Sequence, residues 1–149
     1  MGNDNEFDDF VKKLQAEIDK KEQEDYSDIV REEYHNPSNV GKLSEDLCNG
    51  FGRYTSEVCG DSVLMYIHIE EDHIENIKFR TDGCGVTTAV ASKLSKMVKG
   101  KKIKDAMSIT PEELTDALGG LPDEHLHCPK LAITALDKAI KNFQESKSE

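Results

Sequence analysis

The sequence predicts an α+β domain: a small, three-stranded, mostly antiparallel sheet with helices packed on one face, preceded by a helical N-terminal extension. Three observations support this. Apolar and polar residues alternate between residues 50 and 81, apolar residues recur at helical spacing on either side of that stretch, and the strand-like segments all precede the long helical ones.

Taken in order, Phe7, Phe10, Val11, Leu14 and Ile18 share one side of a helix over residues 6–23. Tyr26, Ile29, Val30 and Tyr34 continue as a shorter helix that ends near HNPSNVG, where Pro37 and Gly41 mark a turn-rich joint. Residues 1–33 are therefore expected to form an acidic amphipathic helical extension and residues 34–149 the main domain. The first expectation for the extension is a solvated helix packed loosely on that domain. GFGRYTSEV, SVLMYIHIE and IENIKFRT read as three strands, the last two joined by a hairpin around EDH. Val86, Val90, Leu94 and Met97/Val98 line one face of a helix ending near Gly100. Thr110-Pro111-Glu112-Glu113 is a capping box with proline at the first helical position, and Gly119 supplies the stop. Leu131, Ile133, Ala135/Leu136, Ala139/Ile140 and Phe143 stripe a C-terminal helix.

The chain has 149 residues, enough for one domain with a modest core. Its formal net charge is −11, and nothing in it forms a basic stripe for phosphates, so nucleic acid is not expected as a partner. The acid is uneven: residues 1–34 hold twelve Asp/Glu against five Lys/Arg, which is −7 and leaves −4 for the rest. No apolar run approaches the roughly 20 residues that span a bilayer. MGNDNEFDDF has neither the basic and apolar regions of a secretory signal nor the character of a mitochondrial presequence, so a cytoplasmic location is expected. In that compartment four cysteines serve as ligands or reactive thiols more readily than as disulfides.

Three of the cysteines fall at element boundaries. Cys59 lies in EVCGDS between the first two strands, Cys84 in TDGCGVTT between the third strand and the first long helix, and Cys128 just before Pro129 at the last helix. A thiol at a helix N-terminus meets unpaired N–H groups and the positive dipole end, which favour thiolate. Glycines beside Cys59 and on both sides of Cys84 are expected to let the backbone approach a bulky inorganic group. Cys48 lacks this context and reads as a small packed hydrophobe. With 24 and 43 residues intervening and no CxxC pair, spacing leaves a shared metal site and three separate packed thiols equally open.

HNPSNVG, CGD, TDGCG, the KG at 99–100 and LP…HC occur in this order over roughly residues 34–145. In combination they resemble the IscU-type scaffold family, related to the N-terminal domain of NifU, which assembles iron–sulfur clusters. The resemblance implies that Cys59, Cys84 and Cys128 hold a nascent [2Fe–2S] cluster, with His127 or Asp61 in the fourth position. It implies an assembly platform, not a turnover enzyme. Sulfur would come as persulfide from a cysteine desulfurase, with Cys128 the principal acceptor because a helix start favours its nucleophilic form. Clusters would pass to apo iron–sulfur proteins, and frataxin-like and ferredoxin-type factors would take part. Asp61 has a competing reading as a turn residue capping nearby N–H groups, and His127 as a satisfied histidine beside the core. His125 is close in sequence but sits in a solvated acidic loop. His35 reads as structural, and His68 and His73 fall on or beside the hairpin with no sulfur neighbours.

Three departures bear on the subfamily. SufU-type relatives carry an insertion between the second and third cysteines and lack the histidine before the last one, whereas this chain has a short span and His127. That type, a zinc-binding sulfur-accepting partner of a cysteine desulfurase, is the alternative, since three thiolates plus Asp or His also suit tetrahedral zinc. The family's LPPVK, on which a DnaK-class chaperone docks, is replaced by Leu121-Pro122-Asp123-Glu124-His125, so that docking is not expected. The long acidic extension is a further departure, with a role in homo-oligomerisation or partner docking open to it.

Overall fold

The structure, a computed structural model, describes residues 9–14, 26–58 and 60–148. Most of the helix expected over residues 6–23 lies outside the described residues; residues 9–14 are helical, with Phe10, Val11 and Leu14 exposed.

Strands β1 (Gly50–Thr55), β2 (Ser62–Glu70) and β3 (His73–Thr81) form an antiparallel sheet in the order β1-β2-β3. Period two sets the faces: Val63, Met65, Ile67 and Ile69 of β2 are buried, and Leu64, Tyr66 and His68 between them are partly exposed. The β2–β3 turn uses Glu71 and Asp72 at φ of 51° and 65°. Two successive positive φ values give the type I′ twist that matches the strands. Pairing then skips from His68↔Asn76 to Ile69↔Ile74, a bulge that puts Ile74 and Ile77 on the same buried face although they are three residues apart.

β1 stops at Thr55, short of the expected Val58. The Ser56 hydroxyl accepts from the Val58 N–H (3.1 Å) and the Ser56 N–H donates to the Asp61 carbonyl (2.9 Å), so the backbone turns instead of pairing on.

Helix α1 (Asp28–His35) is capped by Ser27, whose hydroxyl accepts from the Val30 N–H, and ends before Pro37. Helix α2 (Gly85–Val98) starts at the Cys84 cap and stops before Gly100, which has φ 84°. The short α3 (Ile103–Met107) was not foreseen; five residues carry too little periodicity, and its hold is tertiary, through buried Ile103 and Ala106 and the Ile103 N–H on the Asp72 carbonyl. Helix α4 (Pro111–Ala117) has the predicted cap, the Thr110 hydroxyl accepting from the Glu113 N–H at 3.1 Å. A 3₁₀ turn (Asp123–His125) leads to α5 (Cys128–Ser148).

α2 and α5 lie together on one face of the sheet, α5 across β1 and β2 and α2 against β3. Two glycines set that spacing. A Cβ on Gly52 would fall 2.2 Å from the Ala135 carbonyl oxygen, and one on Gly50 would fall 2.7 Å from that of Ala139. The α5 backbone therefore rests directly on β1. α1 packs on α2 and crosses the junction expected at 33/34: Val30 belongs to the core, and buried Glu33 accepts from the Ser92 hydroxyl and pairs with Lys96. HNPSNVG then stitches α2 to the free edge of β3. Ser38 N–H donates to the Ser92 hydroxyl, the Asn39 amide donates to that of Ser95, and Phe79 and Gly41 N–H groups close the bridge. Among the described residues no helix is long and apolar enough to cross a membrane.

Candidate functional site

One end of the sheet gathers the loops of interest, because the end of β1, the start of β2 and the end of β3 coincide there in an antiparallel sheet. Hydroxyl-rich strand ends lock them. Thr55 and Ser62 hydroxyls meet at 2.6 Å, the Thr81 hydroxyl donates to the Ser62 carbonyl and accepts from the Gly83 N–H, and the Asp82 carboxylate accepts from the Ser62 N–H. The loops holding Asp61 and Cys84 are thus fixed side by side.

Thr87 sits at the centre. It is fully buried on the first turn of α2, and its hydroxyl donates to Asp61 Oδ2 at 3.2 Å. Thr87 Oγ1 also lies 3.6 Å from Cys84 Sγ and 3.6 Å from Cys128 Sγ. His127 Nε2 is 3.9 Å from Cys128 Sγ. Four of the five expected ligands, Asp61, Cys84, His127 and Cys128, are therefore neighbours; the fifth, Cys59, lies outside the described residues. Its flanks are placed: Val58 and Gly60 both bond to Ser56, and Gly60 adopts φ 78°. Among the described residues no three His, Cys, Asp or Glu donors are closed into a metal-binding geometry.

The glycines beside Cys84 lie tightly against protein groups. A Cβ on Gly83 would lie 2.8 Å from Asp61 Oδ2 and 3.0 Å from Thr87 Cβ, and one on Gly85 would lie 2.0 Å from the Tyr34 ring. Their missing side chains let these protein groups come so close. The two thiols also differ in access: Cys84 is exposed, whereas Cys128 is 1% exposed. The helix start expected to activate Cys128 is there, but its sulfur is covered, which argues against it as the first thiol that an incoming group meets.

Of the remaining candidates, His125 borders the site through a shared cavity and the others lie apart from it. His125 lies against Tyr26, and both border a cavity of about 180 Å³ that Cys84, Arg31 and Tyr34 also line. His35 packs on Tyr34, His68 pairs with Glu70 at 3.2 Å, and His73 Nδ1 meets the Glu71 carbonyl. Cys48 is half-buried and donates to the Gly50 carbonyl at the far end of β1. Thr87 is the member that sequence reading missed. TDGCGVTT contains it, yet a threonine three residues into a helix gives no chemical signal by itself.

The chain is similar to known proteins in sequence and in fold. The family model for the NifU-like N terminal domain matches residues 25–149. The iron–sulfur cluster assembly scaffold protein IscU 1 of Archaeoglobus fulgidus is 42% identical over 118 residues, 79% of this chain and 76% of that one. The IscU scaffold of Aquifex aeolicus is 40% identical over 121 residues, 80% of this chain and 76% of that one. The crystal structure of a NifU-like N-terminal protein from Brucella abortus superposes with a TM-score of 0.64 at 17% identity, covering 80% of this chain and 94% of that one. Matched in sequence from residue 25 onward and in the course of its backbone, the chain belongs to the NifU-like N-terminal domain family, that of the IscU-type scaffolds.

Proposed function

We propose that the protein is a scaffold on which a [2Fe–2S] cluster is built and from which it is handed to apo iron–sulfur proteins, acting as a platform and carrier without turnover chemistry of its own. The observation that carries this is the convergence of Asp61, Cys84 and Cys128 on one buried hydroxyl at the end of the sheet. Cys59, Cys84 and Cys128 are assigned as thiolate ligands, with Asp61 or His127 in the fourth position. A cluster held permanently most often has four thiolates. Carboxylate or imidazole in place of one leaves an iron with an exchangeable bond that an acceptor's thiolate can displace, and carboxylate is a hard ligand for so sulfur-rich a centre.

Sulfur is delivered as persulfide by a cysteine desulfurase. Exposure favours Cys84 as the first thiol it reaches, with Cys128 the inner ligand whose thiolate the α5 dipole supports. Frataxin-like and ferredoxin-type factors fit the same scheme. The acidic Asp123 of the 3₁₀ turn, where family members present LPPVK, weighs against docking of a DnaK-class chaperone.

The competing reading is a SufU-like, zinc-binding sulfur acceptor. His127 beside Cys128 and the short span after Cys84 favour the cluster scaffold. Anaerobic reconstitution with iron, sulfide and a desulfurase, followed by transfer to an apo-ferredoxin, separates the two. The expected result is a [2Fe–2S] spectrum on the scaffold that moves to the ferredoxin. Zinc binding with desulfurase stimulation and no cluster would establish the SufU-like role instead.

A further inference from the structure

We infer that Thr87 is the positioning residue that holds Asp61 against the thiol ligands and thereby sets how readily a bound cluster is released. The inference rests on the scaffold reading and adds the residue that governs release.

The hydroxyl has a single proton. At 3.2 Å it is donated to Asp61 Oδ2, so the two sulfurs at 3.6 Å face the oxygen's lone pairs and are themselves the donors while they remain thiols. When both become thiolate ligands they can no longer donate, and the hydroxyl keeps its proton directed at the carboxylate. Asp61 is thus tethered through Oδ2, and Oδ1 is the oxygen left to serve as a ligand. Among the described residues no other side chain is hydrogen-bonded to this carboxylate. Thr87 is fully buried, so water does not substitute for its hydroxyl. Gly83 supplies the rest of the cradle, since any Cβ there would collide with both Asp61 Oδ2 and Thr87 Cβ. Carboxylates at metal sites are ordinarily oriented by such outer hydrogen bonds, and losing one changes metal affinity or activity by about 10–100-fold.

The test is cluster transfer from reconstituted full-length protein to apo-ferredoxin, followed by circular dichroism. Thr87→Val, which keeps the shape and removes the hydroxyl, is expected to slow transfer about tenfold or more and lengthen cluster lifetime to match. Thr87→Ser should transfer at the parent rate. Asp61→Ala is itself expected to transfer slowly, and in that background Thr87→Val should change nothing further, because its effect passes through that carboxylate. Gly83→Ala keeps the hydroxyl but displaces the carboxylate, and should reproduce the slow transfer if Thr87→Val fails to fold.

Parent-like transfer by Thr87→Val, or an equal slowing by it with and without Asp61, overturns the inference. A parent protein that builds no cluster overturns the scaffold reading instead. The tether is then read on zinc-loaded protein by X-ray absorption, where an oxygen donor seen in the parent should vanish in Thr87→Val. An unchanged shell, or a parent shell without oxygen, would sink the tether on its own.

Discussion

Asp137, on α5, has its Oδ1 buried without a hydrogen-bond partner among the described residues. Burial pushes its carboxyl above the ordinary 3.8, and the charge of Lys141 one turn on only partly offsets this. Between the unfolded and the raised folded value the native chain holds more protons than the unfolded one, so stability falls as pH rises through that window. The penalty is complete above it. Asp137→Asn is therefore expected to melt at a higher temperature than the parent at pH 7. The gap should close as the pH is lowered below about 4, where both states carry the proton. A gap independent of pH would mean that packing, not charge burial, sets the cost. Glu33 shows the contrasting solution: more deeply buried, it is bound by the Ser92 hydroxyl and the Lys96 ammonium.

At the scale of elements, the contact of α5 with β1 determines where Cys128 goes. The helix backbone approaches Gly52 so closely that an added Cβ would meet the Ala135 carbonyl oxygen at 2.2 Å and the Ala139 nitrogen at 2.4 Å. Both are backbone atoms, so no rotamer relieves the clash and the whole helix must move. Gly52→Ala is expected to destabilise by about 3 kcal/mol, the upper end for overpacking, measured by urea unfolding. Because α5 begins at Cys128, the same substitution should also weaken zinc binding, which a competition assay would detect. A neutral Gly52→Ala would show that α5 is free to lift.

For the molecule as a whole, the boundary that matters is where the core begins. Val30 is 2% exposed within the core and Glu33 is tied to α2, while Phe10, Val11 and Leu14 are exposed. Deleting residues 1–25 is expected to leave Tm within a few degrees of the parent. Deleting residues 1–34 removes Val30 and uncovers Gly85 where Tyr34 packs, and should lower Tm by roughly 5 °C or more, taking about 2 kcal/mol for one buried valine. Thermal melts of the two truncations decide between them. Equal melting temperatures would assign α1 to the extension.

Local signals determined most of the architecture. Alternation in β2, the Thr110 cap and the glycines after α2 and α4 all report on groups two to four residues apart, and each element formed where they placed it. The ordered motifs around Cys84 and Cys128 were likewise enough to indicate the family. What the chain alone left open depends on distant partners. Thr87 meets Asp61 across 26 positions and Cys128 across 41, Gly83 and Gly85 are emptied for Asp61 and Tyr34, and burial separates Cys128 from Cys84. Periodicity and capping describe how a segment folds onto itself. Which side chains then share a few ångströms is decided only when the helices close on the sheet.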